Sequence, residues 1–534
     1  MKQTRIYAML TLTSLLTVTV FAEPVTLSKD VFLDKLKGAW AGQMIGVCYG
    51  APYEFQSCGK PITGPIQEWT PERVAGALDQ DDCYVEMTFL KALEDYGLGI
   101  SFEQAGKAFG ASQYELWHAN KAGRENVRHG IMPPDSGNPK NNRHADDIDF
   151  QIEADLFGIL CPGLPQESNR LCDVFGHIMN YGDGVYGGMF ISGMYSAAYF
   201  EDKDVEKVVR AGLGCIPKES TYHQCISDVI QWHSESPKDW LAVWKKIEAK
   251  WQDDVDCSPG NPFNIDAKLN GAYVVMGLLY GEGDVRKTME YAVRCGQDAD
   301  CNPSNAAGVL GCMKGFKALD AGLTGGIAAI KDKRFSYTSY SFETLIPACE
   351  RVTEQIVKRA GGEVKADAYV FARQEPKALE KLEQWSIADK KAAIGVAISP
   401  VEIAVWNPKW KEIACGTEMD PGVRSEYHGK KNVLVLHPVS REKAAAISAE
   451  YQVPQGAAPK MTIDVASDER GDFRFKALVN EDVVADQIVD TKGEWKQVVL
   501  DLAEYAGRTI TVRIEDVAND WKFEAAYLGA IELQ

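Results

Sequence analysis

The chain has 534 residues, 45% of them hydrophobic, and a formal charge of −19. That length holds two or three domains with full cores. The acidic balance excludes nucleic acid as a partner, because such a chain repels the phosphate backbone. It says nothing about fold.

Residues 1–22 read as a cleavable export signal. Lys2 and Arg5 form a basic start, Ile6 to Val20 is apolar but short, and Val20-Phe21-Ala22 offers a cleavage site before Glu23-Pro24. The alternative is an uncleaved anchor. No later segment reaches the ~18 apolar residues of a spanning helix. The expectation is therefore a soluble periplasmic or secreted protein, with no membrane contact after cleavage. Its cysteines number 13, an odd count, and contain no C-x-x-C pair. This argues against structural zinc and against a thioredoxin-like site. Cys48, Cys215, Cys225 and Cys312 sit in apolar helical contexts, where a free thiol packs as a small hydrophobe. Mostly reduced core thiols are expected, with room for one or two disulfides.

Residues 25–365 read as helical. The first helix follows Ser28 and carries Leu33, Leu36, Trp40, Met44 and Val47. Gly38, Gly42 and Gly46 recur every four residues, so they share one face. Glycine costs about 1 kcal/mol in a helix interior, so the stripe implies close backbone approach to another helix or to a ligand. The same small-residue habit recurs around Gly187-Gly188, at Gly271, and at Gly308, Gly311 and Gly315. A compact all-α core is the natural reading.

Gln80-Asp81-Asp82-Cys83 opens a predicted helix that ends at Gly97. Residues 127–145 form a Gly-, Pro- and Asn-rich loop long enough to be a lid. The run Asp146 to Asp155 then begins a helix. Asp147 and Asp149 are candidate substrate contacts there, and Asp149 shares a face with Glu153; acidic residues are also simply favoured at helix starts. Gly182, Asp183, Gly184 and Tyr186 form a glycine loop at another helix start, which suits a phosphate or sugar hydroxyls and equally suits a plain turn. Asp253-Asp254-Val255-Asp256 reads as a solvated loop. Gly296-Gln297-Asp298-Ala299-Asp300-Cys301-Asn302 opens a further helix, with Pro303 in its first turn.

Residues 366–394 are rich in Lys, Glu and Ala and read as a connector, helical or extended. From 395 to 534 the period changes to two. Thr462 to Val465, Phe473 to Ala477, Trp495 to Leu502 and Thr509 to Ile514 alternate between turn signals. Short strands at this spacing predict a β-sandwich.

The chemistry rests on the two acidic clusters. Four carboxylates gathered in one place repel or raise one another's pKa. A hard divalent cation with oxygen ligands resolves that conflict. The plainer alternative is that Asp82 and Asn302 are helix N-caps.

The helical region resembles the ADP-ribosylglycohydrolase family over roughly residues 30–320. Three stretches carry the resemblance: Lys37 to Gln43 with Gly50 to Phe55, then Gln80 to Cys83, then Gly296 to Asn305. It implies an all-α orthogonal helical bundle around a binuclear magnesium site. Carried over by position, Asp81, Asp82, Asp298 and Asp300 would hold the metal, with Gln80 and Cys301 in the flanking ligand positions. Glu54 falls where some members carry an acid near the scissile bond, so Glu54, Asp82 and Asp300 become the candidate catalytic residues. The departures are Gln80 and Cys301, where the family has hydroxyl residues, and Gln43, where many members are acidic. A thiol is a poor magnesium ligand, so the site could be altered, mononuclear or selective for a softer ion. The β-rich region loosely resembles a galactose-binding sandwich, a module that often accompanies enzymes acting on glycans. Three functions follow as expectations. One is an exported metal-dependent glycohydrolase with a small-molecule substrate, and another is the same site turned to a glycan or nucleoside-like glycoside. The third is a non-catalytic sugar-binding protein with a decayed site.

Overall fold

The computed structural model describes residues 24–252, 262–386, 389–390, 397–398, 400–419, 421–456 and 458–534. The segment expected to be an export signal and the Asp253 to Asp256 stretch lie outside the described residues.

The opening helix, Lys29–Gly50, starts as its sequence predicts. Ser28 accepts a bond from the Val31 amide at 3.3 Å, and Asp30 sits in the first turn, where a negative charge suits the helix dipole. From Gly38 onward every residue is buried. The glycine stripe is a seam against the helix Cys301–Lys314, which runs antiparallel to it. A Cβ on Gly38, Gly42 or Gly46 would stand 2.1–2.2 Å from the carbonyl oxygens of Gly311, Ala307 and Pro303 respectively. The two backbones therefore touch along their length, as the four-residue spacing implies. Around this pair pack the helices Asp81–Tyr96, Asp183–Ala198, Ala267–Gly281 and Phe342–Arg359.

Before the helix, Val25–Ser28 pairs with Ala368–Phe371, which pairs in turn with Glu363–Val364. The connector is thus extended, and it begins by fastening the end of the helical region to its start. It continues along the helical surface, where the Gln374 amide bonds the Gly163 carbonyl at 2.9 Å and Asn169 Nδ2 bonds the Lys377 carbonyl at 3.1 Å.

The loop at 127–145 is packed rather than free to act as a lid. Asn126 Nδ2 donates to the carbonyls of Ser136 and Asn141, both at 2.9 Å. Ser136 Oγ bonds the Ile178 carbonyl at 2.8 Å, and Asn142 Nδ2 bonds that of Met179 at 2.7 Å. Buried amides and hydroxyls satisfy the carbonyls that a mobile loop would leave to water.

After the short helix Pro400–Trp406 come two five-stranded antiparallel sheets. One runs in the spatial order Asp482–Val489, Phe473–Val479, Thr509–Val517, Ala445–Gln452, Trp410–Ala414. The other runs Lys496–Asp501, Lys460–Ser467, Ala526–Leu533, Lys430–Leu436, Gly422–Tyr427. The alternation read from the sequence is the burial pattern. Ile510, Val512 and Ile514 point inward and join Phe473, Phe475, Ile463, Val465 and Leu528 in one core.

The 12 cysteines among the described residues are all free, and all but Cys58 are buried. Among those residues no helix is long and apolar enough to cross a membrane.

The seam makes a sharp expectation. Gly42→Ala should destabilise the helical domain by roughly 3 kcal/mol or more, since neither backbone can yield without parting the helices. Gly99→Ala, whose Cβ would meet nothing within 4 Å, should be close to neutral. Thermal unfolding of the two variants checks this.

Candidate metal centre

The seam ends at Gly50. A Cβ there would lie 2.0 Å from the Ala299 carbonyl and 2.5 Å from Asp300 Cα. This contact sets the start of one helix against the turn Ala51–Tyr53 that leads to Glu54. The two loops are also knitted together. The Phe55 amide bonds the Gln297 carbonyl at 3.0 Å, and the Gln297 amide bonds Ser57 at 3.2 Å. Phe55 and Gln297 both take left-handed backbone, with φ of 51° and 56°. Side chains other than glycine rarely adopt it unless their surroundings enforce it.

Neither Asp82 nor Asn302 is a helix cap. Asp81–Tyr96 begins after Gln80, with no side-chain cap, and the Gln80 carbonyl accepts from the amides of Cys83 and Tyr84. Cys301–Lys314 begins after Asp300, again with no side-chain cap. Asn302 instead donates from Nδ2 to Asn270 Oδ1 at 3.0 Å. The carboxylates are left facing one another.

Asp82, Asp298 and Asp300 are 0%, 4% and 3% exposed. Cys301 Sγ donates to Asp82 Oδ2 at 3.3 Å, and donor atoms of Asp298, Asp300 and Cys301 lie within 4.8 Å of one another. Asp82 Oδ1 and Asp300 Oδ1 are buried without a hydrogen-bond partner. Burial, and then the Asp300 charge, pushes Asp81 up to about 6. Burial together with neighbouring aspartates pushes Asp82 and Asp298 well above the carboxylate range. Unpartnered buried oxygens among like charges are the condition that a bound cation relieves. The donor set fits a divalent metal: Asp81, Asp82, Asp298 and Asp300 offer oxygens, and Cys301 adds a softer sulfur. Glu54 stands at the open side. Partial burial, then the charges of Asp300 and Asp81, pushes it up to about 7. Water reaches this side chain, so the push bears on its protonation rather than on the stability of the fold.

Asp149 and Glu153 converge on Asn120. Asp149 Oδ1 accepts from the Asn120 amide at 2.9 Å, and Glu153 accepts from its side chain. Burial raises Asp149 to about 7, and the nearby Asp81 charge adds to this. Asp147 belongs to another group. His144 Nδ1 lies 2.8 Å from its Oδ2, and His118 Nδ1 lies 3.8 Å away. His118 stacks on Phe263 at 6.0 Å, and Phe263 meets Phe55 at 4.8 Å with the rings tilted by 52°. A continuous ring-lined wall thus runs from the residue after Glu54 to Asp147. Asn120, Phe263, Asn270 and His118 were not anticipated. None belongs to an acidic or glycine-rich motif, and only the chain's return brings them here.

The glycine turn at Gly182 is filled from within the chain. Glu383 of the connector accepts from the Gly182 amide at 3.4 Å and meets His177 Nε2 at 3.0 Å, and Tyr186 Oη accepts from the Glu383 amide at 2.7 Å. Gly184 packs against Asn180 and the Ala145 carbonyl. Asp183 is raised to about 6 by burial, offset by Lys268. Lys268 and Lys390 both bond Asp266 Oδ2, at 2.5 and 3.2 Å, and Lys390 also bonds Asp146 at 3.1 Å.

A family model described as ADP-ribosylglycohydrolase matches residues 28–360. The chain belongs to the ADP-ribosylglycohydrolase family. Among solved structures, an ADP-ribosylglycohydrolase-related protein complex shares 16% identity at a TM-score of 0.41, over 61% of this chain and 99% of that one. The secreted serine protease VesC from Vibrio cholerae shares 18% identity at a TM-score of 0.17, over 25% of this chain and 27% of that one. A 4-O-methyl-alpha-glucuronidase with specificity for decorated arabinogalactans shares 10% identity at a TM-score of 0.17, over 70% of this chain and 42% of that one. At such scores these likenesses carry no weight. No curated protein matches the chain. Membership of the ADP-ribosylglycohydrolase family agrees with an acidic cluster able to hold a metal ion.

The raised carboxyls have a consequence for the metal-free protein. Between the unfolded value near 4 and the folded values of about 6 for Asp81 and about 7 for Asp149, the unfolded chain releases its protons first. Stability of the metal-free protein should therefore fall as pH rises through that window and stay low above it. Asp300→Asn removes one of the repelling charges. It should stabilise the EDTA-treated protein by about 1–3 kcal/mol at alkaline pH, measured by thermal unfolding.

Proposed function

We propose that the chain is an exported, metal-dependent glycohydrolase that cleaves an N- or O-glycosidic bond. The observation that carries this reading is the pair of buried, unpartnered oxygens on Asp82 and Asp300 with Glu54 at the open side of the same cluster. Asp81, Asp82, Asp298 and Asp300 would hold the metal, with Cys301 beside them. The metal, when bound, would supply fixed positive charge that orients sugar hydroxyls and polarises water. Glu54 takes the proton from the attacking water. Its raised carboxyl suits a group that must exchange protons near neutrality. The carboxylate ring favours the positive charge that builds at the anomeric carbon as the bond opens. The ring-lined wall of Phe55, Phe263 and His118 offers aromatic surface against which a sugar or base can lie.

A specific observation favours a neutral glycoside over ADP-ribose itself. Lys268 and Lys390 are 3% and 1% exposed and are held by Asp266 and Asp146, so their charges are already neutralised and are not offered to a diphosphate. The decayed-site alternative loses ground because Asp82, Asp298 and Asp300, buried without a cation, would only destabilise the fold.

Calorimetry of the mature protein with magnesium, calcium or manganese, each with and without ADP-ribose, tests both readings. Metal binding without ADP-ribose binding supports the neutral glycoside. Metal-dependent ADP-ribose binding supports the family's own substrate, and absence of any metal binding at this cluster removes the enzymatic reading. Asp82→Ala and Asp300→Ala should each abolish metal binding here together with activity. Glu54→Gln should keep the metal and lose roughly 10²- to 10⁴-fold in kcat, the usual contribution of a general base.

A further inference from the structure

A second carboxylate cluster stands at one end of the β-sandwich. Asp472 lies on the turn between Lys460–Ser467 and Phe473–Val479. Asp520 and Glu524 lie on the segment between Thr509–Val517 and Ala526–Leu533. One donor oxygen from each of the three lies within 4.8 Å of the others. Glu524 is 0% exposed. Its Oε1 accepts from the amides of Asn519 and Asp520, at 2.7 and 2.9 Å, while Oε2 is buried without a partner.

A fourth acid backs this group from the core. Asp516 is the last inward-facing residue of its strand and is also 0% exposed. Its Oδ2 accepts from the Ala526 amide at 3.3 Å, and its Oδ1 is buried without a partner. Burial, and then the charge of Glu524, raises its carboxyl. The two loops meet backbone to backbone. A Cβ on Gly471 would lie 2.2 Å from the Lys522 carbonyl and 2.5 Å from that of Phe523, which holds Asp472 beside the other segment. The neighbouring cations have other partners. Arg470 bonds Asp468 at 3.0 Å, Arg441 bonds the Asp520 carbonyl at 3.1 Å, and Lys492, whose charge also feels Asp472, bonds Asp490 at 2.7 Å. The side-chain donor that reaches Asp472 is neutral, Asn519 Nδ2 at 2.8 Å.

We propose that these two loops form a calcium site, separate from the centre in the helical domain. All the donors are oxygens, which selects a hard cation over zinc or copper. They come from two irregular loops. Calcium accepts six to eight oxygens at about 2.3–2.6 Å in flexible geometry, whereas magnesium demands a near-ideal octahedron. A cation here gives Glu524 Oε2 its partner and clamps the 468–472 turn to the 518–524 segment. Trp521, inside that segment, packs edge-on against His437 at 5.0 Å, so the clamp orders this end of the sandwich.

The test uses the full chain, stripped with EDTA and titrated with calcium chloride by calorimetry, then with magnesium chloride. Asp472 and Asp520 are half-buried and exposed, so the double variant D472N/D520N removes two donors without opening the core. The expected result is a calcium-binding event that persists in D82N/D300N and is lost in D472N/D520N. Calcium should also raise the unfolding temperature of D82N/D300N, and leave that of D82N/D300N/D472N/D520N unmoved. Three outcomes would overturn the proposal: no calcium binding by D82N/D300N up to about 10 mM, above the weakest natural modules; binding in D82N/D300N that adding D472N/D520N leaves intact; or magnesium binding in preference to calcium at this site.

Discussion

The glycine seam between Lys29–Gly50 and Cys301–Lys314 is the constraint on which the candidate centre depends. With no Cβ in the way, the helices approach until carbonyl oxygens occupy the space that side chains would fill. Two segments about 250 residues apart in sequence are thereby fixed in register. At the far end of the seam, Asp300 Cα lies where a Gly50 side chain would be. Glu54 consequently stands close enough to the aspartates of both clusters to feel the charges of Asp300 and Asp81. Packing of this kind is stiff, because close-packed backbones cannot slide without losing contact everywhere along the seam.

That stiffness is what holds the electrostatic conflict in place. A looser fold would let Asp81, Asp82, Asp298 and Asp300 turn outward and become hydrated. Here the helix starts offer them no capping role, and burial pushes several of them well above their ordinary range. The same design recurs at smaller scale in the sandwich, where Gly471 lets two loops touch and leaves Glu524 and Asp516 buried with unpartnered oxygens. In both places a missing Cβ allows close approach, and close approach gathers carboxylates.

The connector is more than a spacer. It starts as a strand on the N-terminal strand, sends Glu383 into the turn at Gly182 and places Lys390 between Asp146 and Asp266. The glycine turn read as a ligand loop therefore holds a carboxylate of the chain itself. The Gly182 amide does face an acceptor. What filled it came from about 200 residues away, and a lysine- and glutamate-rich stretch gives no sign of where its residues will land.

The sequence by itself determined the local periodicities and the chemistry of the clusters. The four-residue glycine stripe, the period-two strands near Phe473 and Ile510, and the doubled aspartates after Gln80 and Gln297 were all legible, because each is a pattern within one segment. Tertiary structure alone decided the company those clusters keep. His118 and Asn120 come from one helix, Phe263 from a loop and Asn270 from another helix, and Asp472 meets Glu524 across a sandwich end. Such meetings depend on how strands pair and helices dock over long separations. They arise from shape and burial summed over the whole fold, which no short stretch of residues encodes.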